Sequence, residues 1–290
     1  MNTSCQNNSA EDFISKVVTC CSFCNCSCPC KDIAEWQYTH SEKGVPYAVP
    51  TLNNRHTPEP FNGAPQKAKV VFISSNPSIR LNENTPRSGD AIAHICDFFI
   101  NRFNVSKKYV EHIIPFKYYA LDVNGKRLGG PVTYWKNAAK IARILRNVGL
   151  DECLLTEVVK CKTRKEDKNY VTDAVGEECM DKFFSDFMDM LNYEKRNEKD
   201  KNIIFIVVGT FAREQINKWI DRHSLPLRKI LNGDGLVKWK WGGLNITLLS
   251  TRHLSWQWFD IYAEFDNQEN FLDYKPLVFP NISTNTLNKI

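Results

Sequence analysis

The 290-residue chain has no uninterrupted run of about eighteen apolar residues, so it lacks the signature of a membrane-spanning helix. Its first residues, MNTSCQNNSAEDF, carry neither the basic start nor the apolar stretch of a secretory leader, and a cytoplasmic, reducing location with no membrane partner is expected. A large excess of charge of one sign is also lacking. A formal net charge of +5 and a pI near 8.5 are compatible with a polyanionic partner without requiring one. Cysteine is nearly absent from the body of the chain, where only Cys96, Cys153, Cys161 and Cys179 occur. The other seven of the eleven fall at positions 5, 20, 21, 24, 26, 28 and 30. In a reducing compartment such crowding points to metal or iron–sulfur ligation rather than to disulfides.

What is present is a globular composition, 42% hydrophobic, sufficient for a proper core. Residues 1–66 are rich in Cys, Asn, Pro and Ser with little apolar periodicity and read as a loop-rich arm. The stretch AKVVFISSNPS (68–78) is a β-branched run that breaks into Ser, Asn and Pro, the pattern of a buried parallel strand followed by a functional loop. TYWKNAAKIARILRNVGL (133–150) has helical spacing, with Gly149 as its stop. CLLTEVVK reads as a strand, 175–191 as a helix, KNIIFIVVG (201–209) as a strand, TFAREQINKWI as a helix and LNITLLSTRH (244–253) as a fourth strand. This alternation predicts an α/β three-layer sandwich with a central, mostly parallel four-stranded sheet. The α/β domain is expected over 67–265, with an insertion at 79–128 that contains a helix near AIAHICDFFINRF, and a tail over 266–290. Ligands of such sheets bind at the carboxyl ends of the strands.

The motifs at those strand ends are SSNPS, with Asn76 and Pro77; GGPVTYWKNAAKIARILRNVGL; TEVVKC, followed by GEECMDKF; IIFIVVGTFA; and RHLS, His253 to Ser255. In this order they resemble the uracil-DNA glycosylase superfamily, above all its iron–sulfur, family-4 type members. The resemblance spans roughly residues 68–262. It implies a monomeric, monofunctional DNA glycosylase that hydrolyses the N-glycosidic bond of uracil or a related damaged base in single- or double-stranded DNA.

The resemblance also implies a 4Fe-4S cluster in a structural role, held by Cys161, Cys179 and a Cys-x-x-Cys pair, for which Cys21 and Cys24 have the spacing. Cys20, Cys26, Cys28 and Cys30 are alternative ligands, and zinc is the alternative metal. Asn76 is the counterpart of the residue that positions water, and His253 of the one that donates to the departing base. Ser75, Pro77, Tyr134, Glu157 and Ser255 fall in the base-binding motifs, Tyr134 as a ring to stack on a flipped base. For DNA contact the expected residues are Lys162, Arg164 and Lys165, in a run that also holds Lys160 and Lys168, together with Arg252. Leu254 and Trp256 are expected as apolar wedges.

Glu157 stands where the family carries Asn. An amide offers an acceptor to uracil N3–H and a donor to O4, whereas an ionised carboxylate offers acceptors only. Three outcomes follow from the residue type. Glu157 is protonated and supplies a donor, it reads a base with other donors, or the chain is a catalytically silent nucleic-acid-binding protein of the same fold.

Overall fold

The computed structural model describes residues 8–20, 56–77, 83–87, 89–113, 116–163, 171–225 and 237–255. Most of the cysteine-rich stretch, including Cys21 and Cys24, lies outside them, as do Arg164, Lys165 and Trp256.

Strand β1 (Val70–Ser74) is the apolar VVFIS run, and all of its residues are buried. β4 (Cys153–Glu157), β5 (Asn202–Val208) and β7 (Leu244–Thr251) are the other three anticipated strands. They lie in the order β4-β1-β5-β7, every neighbouring pair parallel. The anticipated four-stranded sheet has a fifth member. β6 (Val237–Trp241) adds antiparallel to the outer side of β7. Its VKWKW sequence buries Val237 and Trp239 and exposes Lys238 and Lys240, the alternation of a strand with one face on a core. The central sheet is therefore mostly parallel and five-stranded.

Five α-helices are present among the described residues. α1 (Ala10–Val18) falls in the stretch read as loop. Ser9 caps it, accepting from the Asp12 amide while the Asp12 carboxylate accepts from the Ser9 amide, a reciprocal arrangement that satisfies two otherwise orphaned donors. α2 (Ile92–Asn101) is the helix expected inside the 79–128 stretch, which also carries a hairpin of β2 (Val110–Ile113) and β3 (Lys117–Ala120). α3 (Thr133–Arg146) ends at Asn147 in the left-handed conformation (φ 56°), two residues before the glycine expected to stop it. Asparagine is among the few residues that adopt this conformation readily. α4 (Asp173–Glu194) is capped by Thr172, and α5 (Thr210–Arg222) follows Gly209.

Side chains alternate across the sheet, so each of the four parallel strands feeds two cores. Val71, Ile73, Leu154, Phe205 and Leu248 pack with α1, α2, α4 and α5 on one face. Val70, Phe72, Leu155, Ile206 and Leu249 pack with α3 and the β2–β3 hairpin on the other. The outer edge of β4 is covered by the segment before β1. Asn62 exchanges both backbone hydrogen bonds with Leu155, at 2.7 and 2.9 Å, and the Glu59 amide donates to the Lys160 carbonyl at 2.8 Å. No helix among the described residues is long and apolar enough to cross a membrane.

Candidate functional site

β1 and β4 do not part where their strands end. The Val158 and Val159 amides donate to the Ser74 and Ser75 carbonyls at 2.8 and 2.9 Å, and the Thr163 amide donates to the Pro77 carbonyl at 3.1 Å. The SSNP and VVKCKT loops are thereby zipped together at the carboxyl edge of the sheet. Between them Asn76 donates from Nδ2 to Thr163 Oγ1 (2.6 Å) and to the Pro77 carbonyl (3.3 Å). With the amide nitrogen so committed, Asn76 Oδ1 is oriented as an acceptor, with only a long 3.5 Å contact from Ser75 Oγ. Thr163 was not singled out from sequence, because nothing local in KCKT marks it.

His253 arrives from the end of β7 and is exposed. Its Nδ1 faces the Ser255 amide at 3.2 Å; an imidazole nitrogen that accepts there carries the ring proton on Nε2. The loop is anchored by Asn137 of α3, whose Nδ2 donates to the Leu254 carbonyl at 2.6 Å. One turn earlier on α3, the Tyr134 ring lies 6.1 Å from the His253 ring, tilted by 56°. Gly209, at the end of β5, lies beneath the same histidine. Its φ of 84° favours glycine, and a β-carbon there would stand 3.8 Å from His253 Cδ2.

Leu254 is fully buried in the α3-side core. It is therefore a plug that seats the loop and not the apolar wedge expected from sequence. Arg252 and Ser255 are exposed beside His253.

Glu157 ends β4, opposite Ser74 in register. Period-two alternation puts it on the face of Cys153 and Leu155, beneath Tyr134. It is 8% exposed; Oε1 accepts from Ser74 Oγ at 3.4 Å and Oε2 has no hydrogen-bond partner. Burial, reinforced by the negative charge of Glu59, pushes its carboxyl up to about 8. Burial with so little hydrogen bonding favours the neutral form of this carboxyl. The Tyr134 hydroxyl is raised for the same reason, burial first and then the charge of Glu157.

Behind Glu157 lies a buried charge network along the covered edge. Glu59 is held ionised, near 2, because Lys162, Arg102 and the Asn62 amide together outweigh its burial. Lys162 Nζ stands 3.0 Å from Glu59, and Arg102 contacts Glu59 (3.3 Å), Asn62 Oδ1 (2.7 Å) and Glu83. Lys160 donates to the Pro60 carbonyl, Thr156 Oγ1 and the Glu157 carbonyl at 3.2, 2.6 and 2.6 Å. Three acceptors around one nitrogen suit an ammonium, although burial lowers its affinity for the proton. Lys160 and Lys162 were expected to meet phosphates. Lys162 is 2% exposed and Lys160 6%; Lys162 is the counter-ion of Glu59, and Lys160 is spent on main-chain carbonyls and the Thr156 hydroxyl.

Among the described residues no three His, Cys, Asp or Glu side chains form a metal-sized group. Two of the four expected cluster thiols are described. Cys179 on α4 and Cys161 after β4 pack on the same core, as does Cys20. The Ala10 amide donates to Glu194 at 2.8 Å and Lys16 pairs with Asp186, so α1 runs antiparallel to α4. The chain leaving α1 at Val18 therefore brings Cys20 toward the Cys179 end of α4.

Fold and site together define an α/β protein with a polar site at the carboxyl edge of a parallel sheet, assembled from the ends of β1, β4 and β7 and the first turn of α3. No family model and no curated protein matches the chain.

Proposed function

We propose that the chain is a hydrolytic DNA glycosylase acting on uracil or a related base whose edge carries adjacent N–H and C=O groups. The observation that carries the reading is that an oriented amide, Asn76 after β1, and an imidazole, His253 after β7, stand on either side of β5 at the same carboxyl edge of the sheet, with the buried carboxyl of Glu157 at the end of β4. Asn76 Oδ1 accepts from a water and aims it at the anomeric carbon. The C–O bond forms as the C–N bond breaks, the water proton passes to solvent, and the base leaves with the bonding pair. His253 Nε2–H donates to the oxygen on which that charge collects; preorganised donors of this kind act on developing charge in the transition state. Tyr134 supplies a ring beside the base. A protonated Glu157 presents one donor and one acceptor, as an amide does, and so tolerates the carbonyl that a carboxylate would repel.

In this reading Cys161 and Cys179 hold a 4Fe-4S cluster with Cys21 and Cys24 of the arm. The cluster fastens the arm to the sheet and takes part in no bond-breaking step.

The test is excision by purified protein from single- and double-stranded oligonucleotides containing uracil, hypoxanthine, xanthine or a mismatched base. Uracil release that disappears in His253→Ala while oligonucleotide binding persists is the expected result. Absence of any release at high protein concentration would leave the silent nucleic-acid-binding alternative.

A further inference from the structure

The two helical layers differ sharply in charge. α4 carries Asp173, Glu177, Glu178, Asp181, Asp186, Asp189 and Glu194 against the single cation Lys182. Several of its acids are matched by neighbours: Lys218 pairs with Asp173 and Glu177, Arg222 with Glu177 and Asp181, and Lys16 with Asp186. α3, on the opposite face, carries Lys136, Lys140, Arg143 and Arg146 and no acid at all. Arg146 pairs with Asp200. Lys136 and Lys140 have no carboxylate partner among the described residues, and Arg143 contacts only the Asn147 carbonyl, at 3.4 Å.

Helix electrostatics alone does not account for this pattern. Cations in the last turn, such as Arg143 and Arg146, are favoured by the helix dipole, whereas Lys136 near the first turn opposes it and no acid in that turn compensates. Lys136, Lys140 and Arg143 recur at the four- and three-residue spacing that places them on one face. At about 1.5 Å per residue the two lysines are about 6 Å apart along the helix. That is close to two rises of about 3.4 Å per strand along a duplex axis. The row starts in the first turn of α3, the turn that also carries Tyr134, but on the helix face turned away from that ring.

We infer that Lys136, Lys140 and Arg143 form a phosphate-binding ridge along which a nucleic-acid strand leaves the site. The inference rests on the proposed function for the ligand class and on the charge pattern for the surface. It replaces the phosphate contacts that Lys160 and Lys162, being buried, do not make.

The experiment measures binding of a single-stranded deoxyoligonucleotide as a function of salt, by fluorescence anisotropy. Wild type is compared with Lys136→Gln/Lys140→Gln/Arg143→Gln and with the control Lys238→Gln/Lys240→Gln, which removes exposed cations from β6. Each phosphate contact contributes about 0.7 to the slope of log K against log salt for a single strand, so the α3 variant is expected to lose about 2. The β6 variant is expected to keep the wild-type slope. An unchanged slope in the α3 variant, or an equal loss in the β6 variant, overturns the ridge. Excision assayed in parallel separates the two ideas. Excision with α3-independent binding rejects the ridge and keeps the enzyme, while α3-dependent binding without excision does the reverse.

Discussion

Asn76 and Thr163, 87 positions apart, share a 2.6 Å hydrogen bond that turns the Asn76 amide so that its oxygen, not its nitrogen, is available to a water. Thr163 is thus a positioning residue for the proposed reaction. Thr163→Val removes the acceptor at nearly constant volume. A hydrogen bond of this kind is worth about 1–1.5 kcal/mol, so the single-turnover excision rate is expected to fall about tenfold, with KM little changed. Thr163→Ser keeps the hydroxyl and is expected to restore most of the rate. Equal loss in both variants would assign Thr163 a packing role only.

In the proposed reaction Glu157 gives a pH dependence of one sign. Its carboxyl is raised by burial and by Glu59, while Lys160, Arg102 and Lys162 partly offset that rise. Below about 8 it is neutral and donates; above, it becomes an acceptor facing the base carbonyl. Uracil excision by the wild type is expected to decline as pH rises through about 8, and that of Glu157→Gln to hold across the same window. Stability follows the same sign. A carboxyl whose folded-state value is raised from 4.5 to about 8 binds more protons folded than unfolded, so stability is full below 4.5 and is lost as pH rises through 8. The melting-temperature advantage of Glu157→Gln over wild type should therefore widen from pH 5 to pH 8.5. A gap that stays constant would mean that Glu157 is ionised throughout.

The parallel strands were legible because runs such as VVFIS and IIFIVV bury both faces and end in loop-forming residues. The strand-end placement of Asn76, Glu157 and His253 followed from them. α1 was hidden because its capping box, Ser9 to Asp12, sits in a stretch dominated by Asn, Ser and Cys. β6 did carry a signal, the alternating VKWKW run and a Gly-Gly turn before β7, which is hairpin chemistry. The burial of Lys160 and Lys162 had no local signal at all. Their partners Pro60 and Glu59 lie about a hundred positions earlier, and only the strand-edge pairing of 59–62 with β4 brings them together. Leu254 misled for a similar reason: its core is made by α3, far away in sequence.

The cluster assignment distinguishes thiols by position rather than by burial. Cys96 and Cys153 are buried too, with burial raising the Cys96 thiol to about 11 and raising that of Cys153 as well, as befits inert core thiols. Cys161→Ser and Cys179→Ser are each expected to reduce iron in the purified protein to background, with loss of its visible absorbance. Cys96→Ser and Cys153→Ser should retain both. Zinc without iron in the wild type would replace the cluster by the alternative metal, and unchanged iron in Cys161→Ser would remove that ligand.

Arg102 joins three parts of the chain. Its guanidinium meets Glu59 and Asn62 of the segment covering β4 and Glu83 of the stretch after β1, and it lies between the Phe98 and Trp135 rings at 5.1 and 5.0 Å. Arg102→Met keeps much of the packing volume but leaves Glu83 without its cation and Glu59 with Lys162 alone. Removing one partner of a buried ion pair costs about 3–5 kcal/mol because the remaining charge is stranded. A loss of that size is expected in urea unfolding at pH 7. The variant is also expected to lose less on acidification than wild type, because the depressed carboxyl of Glu59 stabilises the fold above its ordinary 4.5 and that stabilisation disappears as pH falls toward 2. With Arg102 gone, part of the effect is already absent at neutral pH. If Arg102→Met cost less than about 1 kcal/mol, the range of an exposed pair, the network would be solvated and the edge of β4 would be held by its backbone hydrogen bonds alone.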